Sequence, residues 1–538
     1  MSLPTVTAPE GTVGRPNRRP WVPTRATVLR LTSAVVGGGL MYLSFPPRPL
    51  WWLAPIAFAL LTLSLLGRGA RAGFGYGVLF GLTWMVPLLA WMDTLLGPRF
   101  GPWPWLAVSA GSAALIGAAG AGMAVVGTAP GGPVWMAGIF VTDEAIRERF
   151  PFDGFPWGRL AFGQTSGALL SLASVGGAAL LTFAVASTGA GLALLVHRVW
   201  HRSGGRMLIG PAAALVLPIA AGLAAWPTVH TTADAGTVRA GVVQGSAPDS
   251  GLALLTSGDV LWRNHVEQAE RFALDIAAGR VAKPDLVILP ETVTGLRPGA
   301  NQRIAAISGL LGVPAAVGAR VEPDIGKDRN AVIGWDPVSG ETGEYTKQYL
   351  VPFGEYVPLR PIAHWFTPFV DKESDLEAGT GSTPIRLGPA TVGFAICYEV
   401  AFDGPLRGAV RQGAQLLAVP TNNEWFGRSQ GSDQQLGMVQ ERAVEHGRAV
   451  VVSATTGVSA IVAPDGTITA RTGLFTATDL VGTVPLRASM TLADTLGAWS
   501  EWTLVFVGLA GLAFGIRHKL VERGRHRDVV TGHGARTH

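Results

Sequence analysis

The stretch Gly393-Phe394-Ala395-Ile396-Cys397-Tyr398-Glu399-Val400-Ala401-Phe402 contains the only cysteine among the 538 residues of the chain. The apolar run Thr391–Ile396 predicts a buried strand, which places the thiol of Cys397 where that strand ends. A thiol beside a carboxylate at a strand end is typical of a nucleophile held in place. Most free cysteines, however, only fill buried space, so the rest of the chain must decide between the two interpretations.

The composition indicates an integral membrane protein. Charged residues make up only 15% of the chain, which also contains 17 tryptophans and 71 glycines. The net charge of +5 comes mainly from arginines in tails and loops, and we predict no nucleic-acid partner. A single cysteine cannot form an intrachain disulfide, so the fold does not depend on oxidation.

Long apolar segments dominate the first part of the chain. Residues 1–28 are basic and rich in proline, which predicts a disordered tail. A bundle of seven spans is predicted within 29–226 and an eighth span at 496–516, because a stretch of roughly 20 apolar residues crosses a bilayer. A second basic tail covers 517–538. The eight predicted spans are 29–46, 50–67, 72–94, 103–128, 133–149, 165–196, 207–226 and 496–516.

The basic residues predict an orientation. Arg68 and Arg71 lie between the second and third spans, and three arginines lie within 198–206, between the sixth and seventh spans. With about eight spans, both loops fall on the same side as the two basic tails. Because short basic loops stay in the cytoplasm, we expect both termini to be cytoplasmic and residues 238–486 to be extracytoplasmic.

Residues 238–486 alternate short apolar runs with amphipathic stretches, which predicts an α/β domain of about 250 residues. The predicted strands are Val238–Gln244, Leu286–Pro290, Ala315–Arg320, Ala331–Trp335, Thr391–Cys397, Leu416–Pro420, Val450–Ala454 and Ala460–Ala463. The predicted helices are 252–278, 301–311, 404–412 and 433–447.

Three polar residues of this domain share one placement. Glu291, Lys347 and Cys397 each lie at or just after the end of an apolar run, and strand ends on one edge of a sheet converge. A thiol needs a base, for which Glu291 is suited, and a developing oxyanion needs a positive charge, for which Lys347 is suited. A lone Glu or Lys is more often a solvated surface charge, so the prediction depends on the three occurring together.

These segments resemble the Glu-Lys-Cys triad of the nitrilase (carbon–nitrogen hydrolase) superfamily and, within it, the apolipoprotein N-acyltransferase family. The resemblance covers most of the chain and implies about eight transmembrane helices that carry a nitrilase-like αββα sandwich. The matching segments are Gly154-Phe155-Pro156-Trp157, Val243-Gln244-Gly245, Leu289-Pro290-Glu291, Val351-Pro352-Phe353-Gly354-Glu355, Cys397-Tyr398-Glu399 and Thr421-Asn422-Asn423-Glu424-Trp425-Phe426-Gly427.

The resemblance implies that Cys397 is the nucleophile, Glu291 the general base and Lys347 the oxyanion stabiliser. The supporting residues that it implies are Glu355, Tyr398 and Glu399. The chain departs from the family at two places. Gly251-Leu252-Ala253-Leu254 stands where relatives often carry a tryptophan, and His446 occupies a helix position that is more often apolar.

The implied reaction moves a fatty acyl chain from a membrane phospholipid to the α-amino group of the diacylglyceryl-modified N-terminal cysteine of an apolipoprotein. It would proceed by a ping-pong mechanism through a cysteine thioester, at the bacterial cell membrane. Two alternatives stay open: a membrane-tethered amidase or nitrilase acting on a soluble amide, and an inactive membrane scaffold. Some relatives work with a polyprenyl-phosphate mannose synthase, which here would be a separate partner.

Further signals are weaker. The ten histidines lack ligand spacing and no phosphate-binding loop follows a strand, so we predict neither a metal nor a cofactor. The aromatic loop 149–158 suits a belt at the membrane surface. The apolar segment 364–369 suits either an arm that dips into lipid or a loop packed on its own domain.

The orientation is testable with reporter fusions. A reporter joined at Gly236 should lie outside the cytoplasm, and one joined after His538 should lie inside. The basic loops and tails are expected to be cytoplasmic, seven predicted spans precede Gly236, and the eighth returns the chain to the cytoplasm. Alkaline phosphatase reports a location outside the cytoplasm and a fluorescent protein reports a location inside it, and each junction is tested with both reporters. Activity of the same reporter at both junctions would contradict an outward-facing domain.

Overall fold

The computed structural model of the chain describes residues 24–247, 258–296, 301–363 and 375–534. Outside the predicted α/β domain, its helices fall into two groups, one before and one after that domain along the chain. Before the first strand lie α1 (Arg25–Leu43), α2 (Leu53–Leu65), α3 (Ala70–Leu88), α4 (Trp91–Phe100), α5 (Trp103–Val126), α6 (Gly132–Arg147), α7 (Ala173–Trp200) and α8 (Ile209–Ala225). After the last strand lie α14 (Leu492–Leu496) and α15 (Trp499–Gly534).

Five helical segments of the described chain are long and apolar enough to cross a membrane. They are Arg25–Leu43, Trp103–Val126, Leu170–Trp200, Gly205–Thr228 and Trp499–Glu522.

The other three predicted spans form shorter or interrupted helices. The second is the 13-residue α2, which ends before Gly67, whose φ of +70° turns the chain away from helical geometry. The third divides into α3 and α4 just after Pro87, which cannot donate a backbone hydrogen bond. The fifth is the 16-residue α6.

Glycines allow the helices of the bundle to approach closely. A Cβ atom added at Gly77 of α3 would lie 2.8 Å from the carbonyl oxygen of Ile116 in α5. One added at Gly138 of α6 would lie 2.6 Å from the backbone nitrogen of Gly508 in α15. Small residues at such crossings maximise dispersion contacts, which stabilise helix pairs in lipid.

The α/β domain contains two sheets. The first has the order β13-β1-β2-β4-β5-β6, with β3 paired to β4, and consists of β1 (Thr237–Gln244), β2 (Leu286–Ile288), β3 (Thr294–Leu296), β4 (Ala315–Val321), β5 (Arg329–Asp336), β6 (Gly340–Thr346) and β13 (Thr478–Pro485). The second has the order β12-β11-β10-β9-β8-β7 and consists of β7 (Ile385–Leu387), β8 (Ala390–Phe394), β9 (Leu416–Thr421), β10 (Val450–Ala454), β11 (Ala460–Val462) and β12 (Ile468–Arg471).

The sheets pack face to face and helices cover both outer faces. Val242 and Ile288 of the first sheet share an apolar core with Phe394 and Val451 of the second. On the far side of the first sheet lie α9 (Gly258–Ala277) and α10 (Gln302–Leu311), and on the far side of the second lie α12 (Gly404–Arg411) and α13 (Gly431–His446). A short helix, α11 (Arg360–Ala363), follows β6 along the chain. The predicted αββα sandwich is therefore confirmed.

The outer helices of the second sheet also belong to the core of the bundle. Leu406 of α12 and Val439 of α13 are buried in the same apolar cluster as Leu181 of α7. Burying an apolar side chain of this size stabilises the folded state by roughly 1.5–3 kcal/mol. The sandwich and the bundle thus share one continuous core.

Several local predictions differ from the structure. The strand predicted at Thr391–Cys397 ends at Phe394, because the chain turns into a 3₁₀ helix at Cys397. The aromatic loop 149–158 is only partly a surface belt, since Trp157 is buried between Trp91 and Phe426.

Three further predictions fall outside the described residues. These are the tail up to residue 23, the helix start at 252–257 together with the missing family tryptophan, and the apolar segment 364–369.

A buried ion cluster joins the bundle to the sandwich. Asp403, before α12, accepts hydrogen bonds from Arg159 of the bundle (2.7 Å) and from Arg442 of α13 (2.8 Å). Burial raises the pKa of Asp403, but the surrounding guanidinium groups outweigh it and hold that pKa well below its usual range. The carboxylate therefore stays charged at neutral pH.

Asp403→Asn should destabilise the protein by about 3 kcal/mol, because it leaves buried arginines without their counter-charge. Chemical denaturation in detergent micelles measures the change. Asp275→Asn, which breaks an exposed pair with Arg280, is the matched control and should change stability by less than about 1 kcal/mol. Equal effects of the two substitutions would contradict a structural role for the buried cluster.

Candidate active site

Cys397 lies at a strained turn. It begins the 3₁₀ helix Cys397–Ala401, three residues after the end of β8, and its φ of +54° is in the left-handed region. A non-glycine residue held there costs on the order of 1–3 kcal/mol, and such strain is concentrated at functional sites. The thiol is almost buried, and its Sγ lies 3.8 Å from Nε2 of Gln435.

Lys347, just after β6, is buried between two carboxylates. Its Nζ donates to Oε1 of Glu291 and to Oε1 of Glu355, each at 2.9 Å. Nδ2 of Asn330 donates to the same two oxygens, at 2.7 and 2.8 Å. The ammonium is therefore clamped between two carboxylates, and the Asn330 amide binds the same oxygen of each.

Backbone groups hold the second oxygen of each carboxylate. The N–H of Asn422, just after β9, donates to Oε2 of Glu291 at 2.7 Å. The N–H of Val351 donates to Oε2 of Glu355 at 2.8 Å. Both carboxylates are thus fixed in orientation by donors from several elements, as a preorganised site requires.

The charges around Cys397 keep its thiol protonated. Burial, together with the Glu291 carboxylate, raises the pKa of Cys397 to about 12, although the Lys347 ammonium acts to lower it. Burial lowers the pKa of Lys347, but the carboxylates of Glu291 and Glu355 outweigh it and raise that pKa well above its ordinary value. The resting state is a neutral thiol next to a permanent ammonium, so sulfur becomes nucleophilic only as it loses its proton.

Glu399 ties the cysteine turn to the segment after Lys347. Its Oε2 accepts from the N–H of Ile396 (2.7 Å) and its Oε1 from the N–H of Gln348 (2.6 Å). The hydroxyl of Tyr345 donates a further hydrogen bond at 3.0 Å. Burial raises the pKa of Glu399 to about 7. With its oxygens occupied by these donors, Glu399 holds the turn in place.

Tyr398 connects the same turn to the bundle. Its hydroxyl donates to the carbonyl oxygen of Gly154, at 2.9 Å, and its ring stacks on that of Phe155. Tyr356 makes a parallel contact, because its hydroxyl donates to the carbonyl oxygen of Phe152 at 3.0 Å. Two tyrosines of the sandwich are therefore anchored to one loop of the bundle.

The structure brings all six predicted site residues into one region and adds residues that the sequence reasoning missed. Asn330 lies one residue before the predicted strand Ala331–Trp335, so the sequence indicates its position next to a strand but not its contacts with the two carboxylates. Asn422, Gln435 and Glu424 lie in or after the segment that follows β9. Burial and the Glu291 carboxylate raise the pKa of Glu424 to about 7.

One group of carboxylates has the proximity of a metal site. Oxygens of Glu148, Asp403 and Glu501 lie within 4.8 Å of one another. However, Arg149 donates to Glu501 at 2.6 Å and Arg159 donates to Asp403 at 2.7 Å. Guanidinium groups thus supply the positive charge there, and the group forms part of the ion cluster between the bundle and the sandwich.

Comparison with known proteins agrees with this architecture. Residues 37–191 match the apolipoprotein N-acyltransferase N-terminal domain, and residues 258–491 match the carbon–nitrogen hydrolase domain. The apolipoprotein N-acyltransferase of Mycolicibacterium smegmatis is 39% identical over 511 residues, which are 90% of this chain and 85% of the relative. The chain belongs to the apolipoprotein N-acyltransferase family.

Other members of this family align over similar lengths. The apolipoprotein N-acyltransferase of Chromobacterium violaceum is 29% identical over 87% of this chain and 90% of the relative. That of Azotobacter vinelandii is 29% identical over 91% of this chain and 95% of the relative. The chain is therefore an acyltransferase of the bacterial membrane, and its carbon–nitrogen hydrolase domain is the catalytic one.

The raised pKa of Cys397 is testable by alkylation, because the chain has no second thiol. The rate of carboxamidomethylation should rise about tenfold per pH unit through pH 9, where an ordinary thiol of pKa about 8.5 would level off. Glu291→Gln removes a charge that raises this pKa and should speed alkylation at pH 8. Intact-mass spectrometry measures both rates, with Glu344→Gln as a surface control. A plateau below pH 9 would contradict the charge arrangement.

Proposed function

We propose that Cys397, Glu291 and Lys347 transfer a fatty acyl chain from a membrane phospholipid to the α-amino group of a diacylglyceryl-modified N-terminal cysteine. The observation that carries this proposal is the buried Lys347 clamp beside a strained cysteine, on a turn anchored to the bundle through Tyr398. A site joined in this way to membrane helices suits two substrates that both reside in lipid.

In the first half-reaction, the Sγ–H bond of Cys397 breaks as Sγ forms a bond to the ester carbonyl carbon of the phospholipid. Glu291 takes the proton, and the oxyanion that develops is stabilised by the Lys347 ammonium. The tetrahedral intermediate then expels the lysophospholipid, whose alkoxide oxygen takes the proton from Glu291. The products are a thioester on Cys397 and a lysophospholipid.

In the second half-reaction, the neutral α-amine of the acceptor attacks the thioester carbon. Glu291 takes a proton from the attacking nitrogen and returns it to the departing sulfur, which restores the thiol. Because Glu291 acts first as base and then as acid in both halves, one carboxylate serves the whole cycle. Water must be kept from the thioester in the meantime, or hydrolysis would waste the acyl chain.

The supporting residues act through the triad. Glu355 shares the Lys347 ammonium with Glu291, which leaves Glu291 less tightly paired and better able to accept a proton. Glu399 fixes the cysteine turn, and Tyr398 fixes that turn to the bundle. We assign them positioning roles, because their polar atoms are occupied by other parts of the protein.

We extend the proposal to the arrangement in the membrane. The five apolar helical segments, together with α2, α3 and α6, support a bundle of about eight spans, within 29–226 and 496–516. The basic loops favour cytoplasmic termini and an extracytoplasmic catalytic domain at 238–486. A separate polyprenyl-phosphate mannose synthase partner stays a prediction from the resemblance.

The thioester is the decisive intermediate. Purified protein mixed with a phospholipid and no acceptor should gain the mass of one acyl chain, and neutral hydroxylamine should remove it, because a two-step transfer must store the acyl group on the enzyme. Intact-mass spectrometry measures the adduct. Cys397→Ala should gain no mass, and Glu291→Gln should load at least about 100-fold more slowly.

Glu344→Gln is the matched control, since it makes the same chemical change in a partly exposed pair with Arg329, and it should load at the normal rate. An adduct on Cys397→Ala would remove the nucleophile assignment. An unchanged mass, together with normal acylation in the full reaction, would exclude the ping-pong mechanism. Turnover of a simple amide with lipids ignored would favour the amidase alternative.

A further inference from the structure

Glu424 differs from the other carboxylates near the triad in the hydrogen bonds that it accepts. Glu291, Glu355 and Glu399 each accept at least three hydrogen bonds from side chains or backbone. Within the described part of the chain, Glu424 forms no ion pair, and its Oε1 is buried without a hydrogen-bond partner. A buried carboxylate oxygen without a donor is costly, so such a group calls for a functional explanation.

The backbone of Glu424 is tied to the triad. Asn422, whose N–H holds Glu291, also accepts a hydrogen bond at its Oδ1 from the N–H of Glu424, at 3.2 Å. The hydroxyl of Thr455 donates to the same oxygen, at 3.1 Å. The backbone of Glu424 is therefore held close to Glu291. The negative charges of the two carboxylates repel each other.

Glu424 also lies where the bundle meets the site. Its 3₁₀ helix, Asn423–Phe426, packs against α4 of the bundle, and the ring of Phe426 contacts that of Trp91 edge to face, with centroids 4.9 Å apart. A substrate that is anchored in lipid and reaches Cys397 would pass this junction. The carboxylate is thus placed between the membrane helices and the triad.

A positively charged hydrogen-bond donor suits the carboxylate of Glu424, and the reaction proposed above has substrates with ammonium groups. The α-amine of the acceptor is largely an ammonium ion at neutral pH, because α-amino groups have pKa values of about 7.7–8.0. An ammonium cannot attack a thioester until it loses a proton. Resting on that proposed function, we propose that Glu424 binds a substrate ammonium group in the active site and takes one proton from the acceptor amine.

The proton balance requires such a group. The N–H bond of the acceptor ammonium breaks and the proton passes to the Glu424 carboxylate, which leaves a lone pair on nitrogen for the attack. The second proton, released as the amide forms, passes through Glu291 to the sulfur of Cys397. Glu424 then releases its proton to water. A carboxyl group whose pKa is raised to about 7 exchanges such a proton readily near neutral pH.

The same ammonium chemistry occurs in the headgroup of phosphatidylethanolamine, so the experiment separates the two sources. Wild-type enzyme, Glu424→Gln and Glu424→Asp are each loaded from phosphatidylethanolamine and from phosphatidylglycerol, which has no amine. The acyl-enzymes are then discharged with a diacylglyceryl-cysteine peptide or with hydroxylamine, which is neutral at pH 7. Intact mass gives every rate, and Glu267→Gln, on an exposed face of α9, is the control.

If Glu424 serves the acceptor, Glu424→Gln should load normally from phosphatidylglycerol and discharge normally to hydroxylamine. Its discharge to the peptide should be on the order of 100-fold slower, with a raised KM for the peptide. Glu424→Asp, which keeps the charge, should restore part of the loss. Slow loading from phosphatidylethanolamine alone would place the bound ammonium on the donor.

Two results would overturn the proposal. One is that Glu424→Gln matches the wild type in every step. The other is that it slows loading from both lipids and discharge by both nucleophiles alike, as general damage would. If the wild type forms no acyl-enzyme at all, the proposed function itself fails. The loading of the wild type shows this before any variant is compared.

Discussion

The buried ammonium of Lys347 is the constraint on which the site depends. Removing an ammonium from water costs several kcal/mol unless opposite charge and hydrogen bonds replace the solvent. Here the carboxylates of Glu291 and Glu355 do so, and the Asn330 amide, which donates to the same two carboxylate oxygens, holds them in place. Because each partner must lie within about 3 Å, the ends of β2, β5 and β6 are fixed relative to one another. The geometry of the catalytic edge follows from the charge of one side chain.

Two carboxylates around one ammonium leave a net negative charge, and that charge sets the behaviour of Cys397. It opposes a thiolate and, with burial, raises the pKa of the thiol to about 12. A site of this kind does not hold a reactive thiolate between turnovers, which differs from cysteine enzymes that lower the pKa of their nucleophile. The thiol must instead be deprotonated during the attack, and this makes the carboxylate that receives the proton indispensable.

The fold could be predicted from the sequence wherever apolar runs were long or regular. The strands β1, β2, β4, β5 and β9 to β11 lie close to their predicted bounds, as do the described parts of α9, α10, α12 and α13, and β8 ends three residues earlier than predicted. The strands β6 and β13 were missed because their glycines, threonines and acidic residues hide the alternation of a half-buried strand. The strands β3, β7 and β12 are three or four residues long and include exposed positions, so they form no apolar run, whereas the equally short β2 and β11 are buried throughout.

The site shows a similar division. Residues that end apolar runs, such as Glu291 and Cys397, stand out in a sequence because charge or a thiol follows a buried strand. Asn330 and Gln435 do not, because an amide within or beside an element carries no sign of what it contacts. The buried ion cluster around Asp403 could not be predicted from the sequence either, because the partners of Asp403 come from segments about 40 and 240 residues away.

The charge balance of the site also distinguishes the two halves of the proposed reaction. In the first half, a proton moves from Cys397 to Glu291 and negative charge moves from that carboxylate to the oxyanion beside Lys347. The total charge of the buried group does not change, so the low-polarity surroundings impose no new solvation penalty. In the second half, an acceptor enters that carries a positive charge in water. Either that charge is lost before entry, or a carboxylate at the entrance must receive it. The position of Glu424, at the bundle side of the triad and with an Oε1 that has no hydrogen-bond partner among the described residues, meets the second requirement.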